Sequence, residues 1–187
     1  MGFPDGMRVE EARRLFFAGL RYGGDGGYDR RWVTLRAGPI PLAFPNLPAR
    51  VRAVRLHDLH HVATGYPPRW RGEAEIGAWE LAAGCGRYPA AWLLNFAAFT
   101  IGLILWPRRL FRAFVRGRSC TTLYDRSFDE SLLDQTVGTL RRRLGLDRPA
   151  APPAAGDVLA FAAWAATALT VLALPVAAAA AVLGALP

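Results

Sequence analysis

The chain has 187 residues, 52% of them hydrophobic, a net charge of +8 and a mean hydropathy of +0.15. That length supports one domain with a sizeable core, and hydrophobicity this high for a soluble protein points to a membrane element. All 23 basic residues are arginine, which suits anionic partners such as phospholipid surfaces. The absence of paired zinc motifs or an RNP-type aromatic strand argues against a nucleic-acid partner.

The opening stretch, MGFPDGMRVEEARRLFF, has charges breaking every apolar run and does not read as a signal peptide. Met7 to Arg21 places Val9, Leu15, Phe16 and Leu20 at helical spacing, so an amphipathic helix is expected, stopped by the glycine-rich GGDGG from Gly23 to Gly27. Trp32 to Leu47 reads as extended, either a small hairpin with a tight turn at Ala37-Gly38 or a proline-rich arm. Pro48 suits the first turn of a helix that continues through Val51, Val54, Leu59 and Val62 toward Gly65. After the Pro67-Pro68 connection, a second helix is expected from about Gly72 to Gly84 or Gly86.

The uncharged run from Tyr88 to Trp106 is long enough to cross a bilayer, but 13 arginines precede it and 10 follow it. A crossing would violate the positive-inside bias, so a buried or surface-lying helix is expected. Arg108 to Arg118 and Phe128 to Leu146 each read as one further helix, followed by a Pro/Ala linker. Val158 to Pro187 has no charge over 30 residues, which fits one tilted transmembrane helix, kinked at Pro175. With Arg141, Arg142, Arg143 and Arg148 before it, the domain is expected on the cytoplasmic side of a bacterial inner membrane. The expected fold is all-α, with an N-terminal helix and arm (1–47), a helical domain (48–147), a linker (148–157) and an anchor (158–187).

The chemistry concentrates in LHDLHHVATGYPPRWRGE, Leu56 to Glu73, which holds all three histidines of the chain. On a helix, His57 and His61 share a face, and Asp58 and His61 are neighbours three apart. A turn then brings Glu73, in the first turn of the next helix, within reach as a fourth ligand. His60 points elsewhere, as a bystander or a supporting group. Spacing alone leaves a metal site and a solvated, hydrogen-bonded helix end equally open. Two histidines and two carboxylates would suit zinc, iron(II), manganese or cobalt and exclude a closed thiolate site. Cys85 and Cys120 form no CxxC and read as reduced thiols outside the ligand set.

The HDxxH motif of His57, Asp58 and His61, followed by eleven residues and Glu73, resembles the signature of the coenzyme Q biosynthesis protein 4 family. HVATGYP, GEAEIGAWELAAG and the stretch ending in TLRRRLGL are similar to other family segments, so the resemblance covers about residues 48–146. The first 45 residues match poorly, and the terminal span is not part of the usual family domain. The resemblance implies a metal, favouring zinc, held by His57, Asp58, His61 and Glu73. It also implies action at the carboxylated ring carbon of a polyprenylated quinone precursor. Glu80, seven residues after Glu73, is then a candidate supporting or proton-handling group, with Gly77 leaving room for a ligand. Glu73 and Asp58 are candidate catalytic carboxylates. Trp92 to Trp106 would receive the isoprenoid tail, and Arg108, Arg109 and Arg112 would rest on lipid headgroups. Other quinone-biosynthesis enzymes are candidate partners. The alternatives are a non-catalytic lipid-binding scaffold for such an assembly, or a metallohydrolase of a lipid ester with Asp58 or Glu73 as base.

Overall fold

The computed structural model describes residues 2–19, 26–37, 40–149 and 151–184. It is mostly helical, with a short antiparallel hairpin near the N-terminus and one apolar helix at the C-terminus. Helix α1 spans Val9–Ala18 and buries Val9, Ala12, Phe16 and Phe17, whereas Leu15 is exposed. Leu20 and the first glycines of GGDGG lie outside the described residues. Strands β1 (Trp32–Ala37) and β2 (Ile40–Pro45) pair in register from Trp32↔Pro45 to Ala37↔Ile40, so the hairpin is the form the extended stretch takes. The expected turn at Ala37-Gly38 includes Gly38, which is also outside the described residues.

Prolines open three of the next four helices, where a missing N–H costs nothing. They are α2 (Pro48–Thr64), α4 (Pro89–Leu105) and α5 (Pro107–Arg118). Helix α3 (Trp70–Ala83) lies between α2 and α4 in sequence, and it approaches both α4 and α5 closely through glycines. A Cβ on Gly117 of α5 would sit 2.4 Å from the Trp79 carbonyl oxygen, and one on Gly77 would meet Ala98 at 3.3 Å. Gly77 therefore faces α4, and the room expected there for a ligand is taken by that helix.

The single helix expected over Phe128 to Leu146 is instead two, α6 (Ser131–Asp134) and α7 (Val137–Leu144). The break has a tertiary cause. The backbone at Gln135 and Val137 bonds to Val9 and Met7, an isolated bridge that pins the N-terminal arm to the domain. Thr136 then caps α7 by accepting from the Thr139 N–H.

Helix α8 runs Ala155–Gly184, continuing through Pro175. Its Ala155–Leu174 stretch is long and apolar enough to cross a membrane. One stripe packs on the domain: Trp164 stacks on Trp92 at 5.5 Å, and Phe161 contacts Phe99, Phe111 and Phe114. Arg118 pairs with Asp157 at 2.7 Å where α8 begins. Helix α4 buries Ala91, Asn95, Phe96, Phe99 and Gly102 and leaves Leu93, Ile104 and Leu105 exposed. The stretch from Trp92 to Trp106 expected to receive a lipid tail is thus covered in part, on its aromatic side, by α8.

Gly117→Ala should destabilise the fold by about 1–3 kcal/mol, because its methyl group must push apart α3 and α5. At Gly156 a methyl group would meet nothing within 4 Å, so alanine there should bring little change. Paired chemical denaturation curves in detergent would check the contrast.

Candidate metal centre

Helix α2 carries His57 and His61 on one face and ends at Gly65, whose φ of +80° favours glycine. The following turn is tight: a Cβ on Gly72 would lie 1.9 Å from the Pro67 carbonyl oxygen. Only a residue without a side chain permits this approach, and it places Glu73 opposite the two histidines. The three groups converge. His57 Nε2 lies 3.1 Å from His61 Nε2 and 3.3 Å from Glu73 Oε2, and His61 Nε2 lies 3.3 Å from Glu73 Oε1.

The hydrogen bonds around this triangle fix which nitrogen of each ring faces it. His61 Nδ1 donates to the Tyr66 carbonyl at 2.9 Å, since a carbonyl can only accept, and this turns Nε2 toward the triangle. His57 Nδ1 donates to Glu80 Oε1 at 2.9 Å, with the same consequence. Two imidazole Nε2 atoms and a carboxylate therefore face one another across about 3 Å. Burial disfavours a charged His57 ring, but Glu80 and Glu73 outweigh it and raise its pKa well above the usual value. The contact can thus be bridged by a ring proton or, in its place, by a metal cation. Metal–ligand distances of 2.0–2.2 Å would set the edges of a tetrahedral site at about 3.3–3.6 Å and of an octahedral one at about 2.8–3.1 Å. The observed edges fall within that range, so the residues fit a small divalent ion, and the burial of His61 with Glu73 at the more exposed side leaves access. His61 also stacks on Phe16 of α1.

Behind the triangle, Glu80 is fully buried and receives four donors. Oε1 accepts from His57 and from His60 Nδ1 at 2.6 Å, and Oε2 accepts from Asn95 Nδ2 at 2.6 Å and the Tyr124 hydroxyl at 3.0 Å. Burial alone would push this carboxyl up, but His57 and then His60 outweigh it and hold it well below the usual carboxylate range. His60 in turn accepts the Leu123 N–H on Nε2 at 2.9 Å, which requires its proton on Nδ1. Burial lowers its pKa, consistent with a neutral ring. For Glu73, burial is likewise overcome by His61 and His57, and the carboxyl is held down.

The structure thus brings together His57, His61 and Glu73 of the four expected ligands. Asp58 is buried close by but outside this group, and its Oδ2 accepts the Tyr28 hydroxyl at 2.5 Å. Tyr28 comes from the turn before the hairpin and is held there by Asn46, whose amide donates to the Tyr28 and Arg30 carbonyls. Glu80 stands behind His57, where a carboxylate orients a metal-binding imidazole. His60, set aside as pointing elsewhere, does point elsewhere, toward Glu80. Tyr28, Asn95 and Tyr124 were not anticipated at the site. Of these, only Asn95 left a trace in the sequence, as a lone amide inside an uncharged helix.

In a zinc competition titration with a chromophoric chelator, His61→Ala should abolish stoichiometric binding, and Glu80→Gln should weaken it by about 10–100-fold. Asp58→Asn should retain binding; a loss as severe as that of His61→Ala would make Asp58 a fourth ligand. Comparison with known proteins assigns no family: no family model matches the chain, and no curated protein or solved structure matches it.

Proposed function

We propose that this is a membrane-associated, metal-dependent protein of ubiquinone or related prenylquinone biosynthesis. It acts at the carboxylated ring carbon of a polyprenylated aromatic precursor, in a decarboxylation or oxidative decarboxylation. The observation that carries the metal part is the convergence of His57 Nε2, His61 Nε2 and a Glu73 carboxylate, with both imidazole tautomers preset by Glu80 and Tyr66. The pathway part rests on the HDxxH and glutamate signature and its flanking segments.

Zinc is the favoured ion, with iron or manganese as the other members of the class this donor set takes. When bound, such an ion supplies Lewis-acid stabilisation of negative charge developing on a carboxylate or ring oxygen. The protein's own groups set up the rest. Three protein ligands leave open positions, as catalytic rather than structural sites do. Glu80 keeps His57 oriented, and His60 keeps Glu80 in place. The Tyr28 hydroxyl and Asp58 carboxylate, 2.5 Å apart beside the triad, form a pair able to hold a proton and return it.

The membrane part rests on α8 and on the arginines that precede it, which favour the cytoplasmic side of a bacterial inner membrane for the domain. Arg108 and Arg112 of α5 would meet anionic headgroups, while Arg109 also pairs with Glu75 at 3.6 Å. With α8 over the aromatic face of α4, an isoprenoid tail would lie along the exposed Leu93, Ile104 and Leu105.

Deletion of the gene should cause a lipid that retains its ring carboxylate to accumulate, seen by mass spectrometry of extracted lipids. Full-length protein should restore the quinone, and His61→Ala, shown to be folded and membrane-bound, should not. An unchanged quinone profile on deletion would overturn the pathway reading. Rescue by His61→Ala would leave a lipid-binding scaffold as the function.

A further inference from the structure

A second constellation lies against the ring of Tyr28. Arg55, on α2 two residues before His57, is held between two rings, its guanidinium carbon 5.2 Å from the Tyr28 centroid and 5.4 Å from that of Phe128. Stacking of this kind fixes the plane of a guanidinium and leaves its edge donors free to bind. Arg55 lines a partly open cavity of about 160 Å³ together with Arg52, Val51, Tyr88, Ser127 and Phe128.

The polar groups of this cavity are of one kind. Arg52 and Arg55 stand three apart on α2, so two guanidiniums of like charge share one helix face. Neither has an ion pair among the described residues, and the Arg55 Nε is buried with no acceptor. The neighbouring Arg50 and Arg126 are already engaged, by Asn46 and Asp125 respectively. Ser127 Oγ accepts from Arg87, which frees its own hydroxyl proton to donate. The Tyr88 hydroxyl is already spent on the Arg126 carbonyl. A further arginine, Arg13, stands 5.8 Å from the Phe128 ring centroid. The remaining walls, Val51 and Phe128, are apolar.

Donors without acceptors, concentrated positive charge and apolar walls together select one class of ligand. We propose that Arg52, Arg55 and Ser127 form a binding site for a small organic anion, an oxyanion head of the carboxylate or phosphate type carried on an apolar or aromatic body. The head would bond to the two guanidinium edges and the hydroxyl, and the body would rest against Val51 and Phe128. Planar guanidinium donors suit both head groups, because each offers two oxygens at matching separation. The site stands apart from the metal centre and does not depend on it, although Tyr28 links their surroundings: its ring stacks on Arg55 and its hydroxyl bonds to Asp58, beside the triad.

The test is calorimetric titration of the full chain in a non-ionic detergent, stripped of metal and freed of chelator so that the histidine site does not compete. Benzoate and phenyl phosphate are the probes, with benzyl alcohol as the uncharged control and inorganic phosphate as the control without a body. Both organic anions should bind, benzyl alcohol should not, and Arg55→Gln should weaken binding at least about tenfold, the loss of one charge-assisted bond. Arg52→Gln should do the same, and because Arg52 is exposed it keeps the test available if Arg55→Gln does not fold. Zinc binding by each variant, measured separately, reports an intact fold. No binding of either anion, equal binding of benzyl alcohol, or binding undiminished in both arginine variants would overturn the site. Inorganic phosphate binding as tightly as phenyl phosphate would overturn the apolar part of the ligand.

Discussion

The structure depends on one buried carboxylate. An ionised group taken fully out of water costs several kcal/mol unless its lone pairs are satisfied, and Glu80 has none of its surface exposed. Its four donors come from three other elements: His57 and His60 from α2, Asn95 from α4, and Tyr124 from the short 3-10 turn at Leu123–Asp125. Those elements must meet on α3, or the charge is stranded. Close backbone approach makes the meeting possible. Gly86, at a φ of +50°, lets the chain pass where a Cβ would be 2.4 Å from the Tyr124 carbonyl oxygen.

The same carboxylate turns a packing requirement into chemistry. By drawing the His57 proton to Nδ1 it aims Nε2 outward, and the Tyr66 carbonyl does this for His61. Neither ring can turn or change tautomer without losing its Nδ1 hydrogen bond. Any metal-binding face here would therefore be preset by the core rather than assembled by an ion.

What the sequence made legible follows from how local each cause is. The helix start at Pro48 and the end of α2 at Gly65 are each set by one or two residues. The convergence of His57, His61 and Glu73 needs only helical spacing plus a glycine turn, and it was readable. The place of Asp58 was not, because its partner, Tyr28, lies 30 residues earlier in an arm whose packing no periodicity reveals. His60 was correctly turned away from the triad by the same helical arithmetic, but that arithmetic could not show Glu80 waiting on the other side. The split of α6 from α7 was hidden for a like reason, since Gln135 and Val137 are diverted by residues near the N-terminus.

Helix α8 shows the limit of hydropathy most clearly. Phe161, Trp164, Ala168 and Val171 recur at spacings of three and four, so they form one stripe, and this stripe packs against the core. Its residues are as apolar as those on the opposite face, where Leu159, Leu169 and Leu174 are exposed. A hydropathy window sees one uniform greasy segment and reads a free anchor. Yet aromatic stacking on Trp92, Phe96 and Phe99, closed by the Arg118–Asp157 pair, fastens its first four turns to α4 and α5. A helix so fastened cannot swivel independently of the domain. Wherever lipid meets its outer face, the same lipid must also lie near the residues of α4 and α5 that flank the inner one, and the orientation of the His57–His61–Glu73 group relative to α8 is fixed by side-chain packing rather than by a linker.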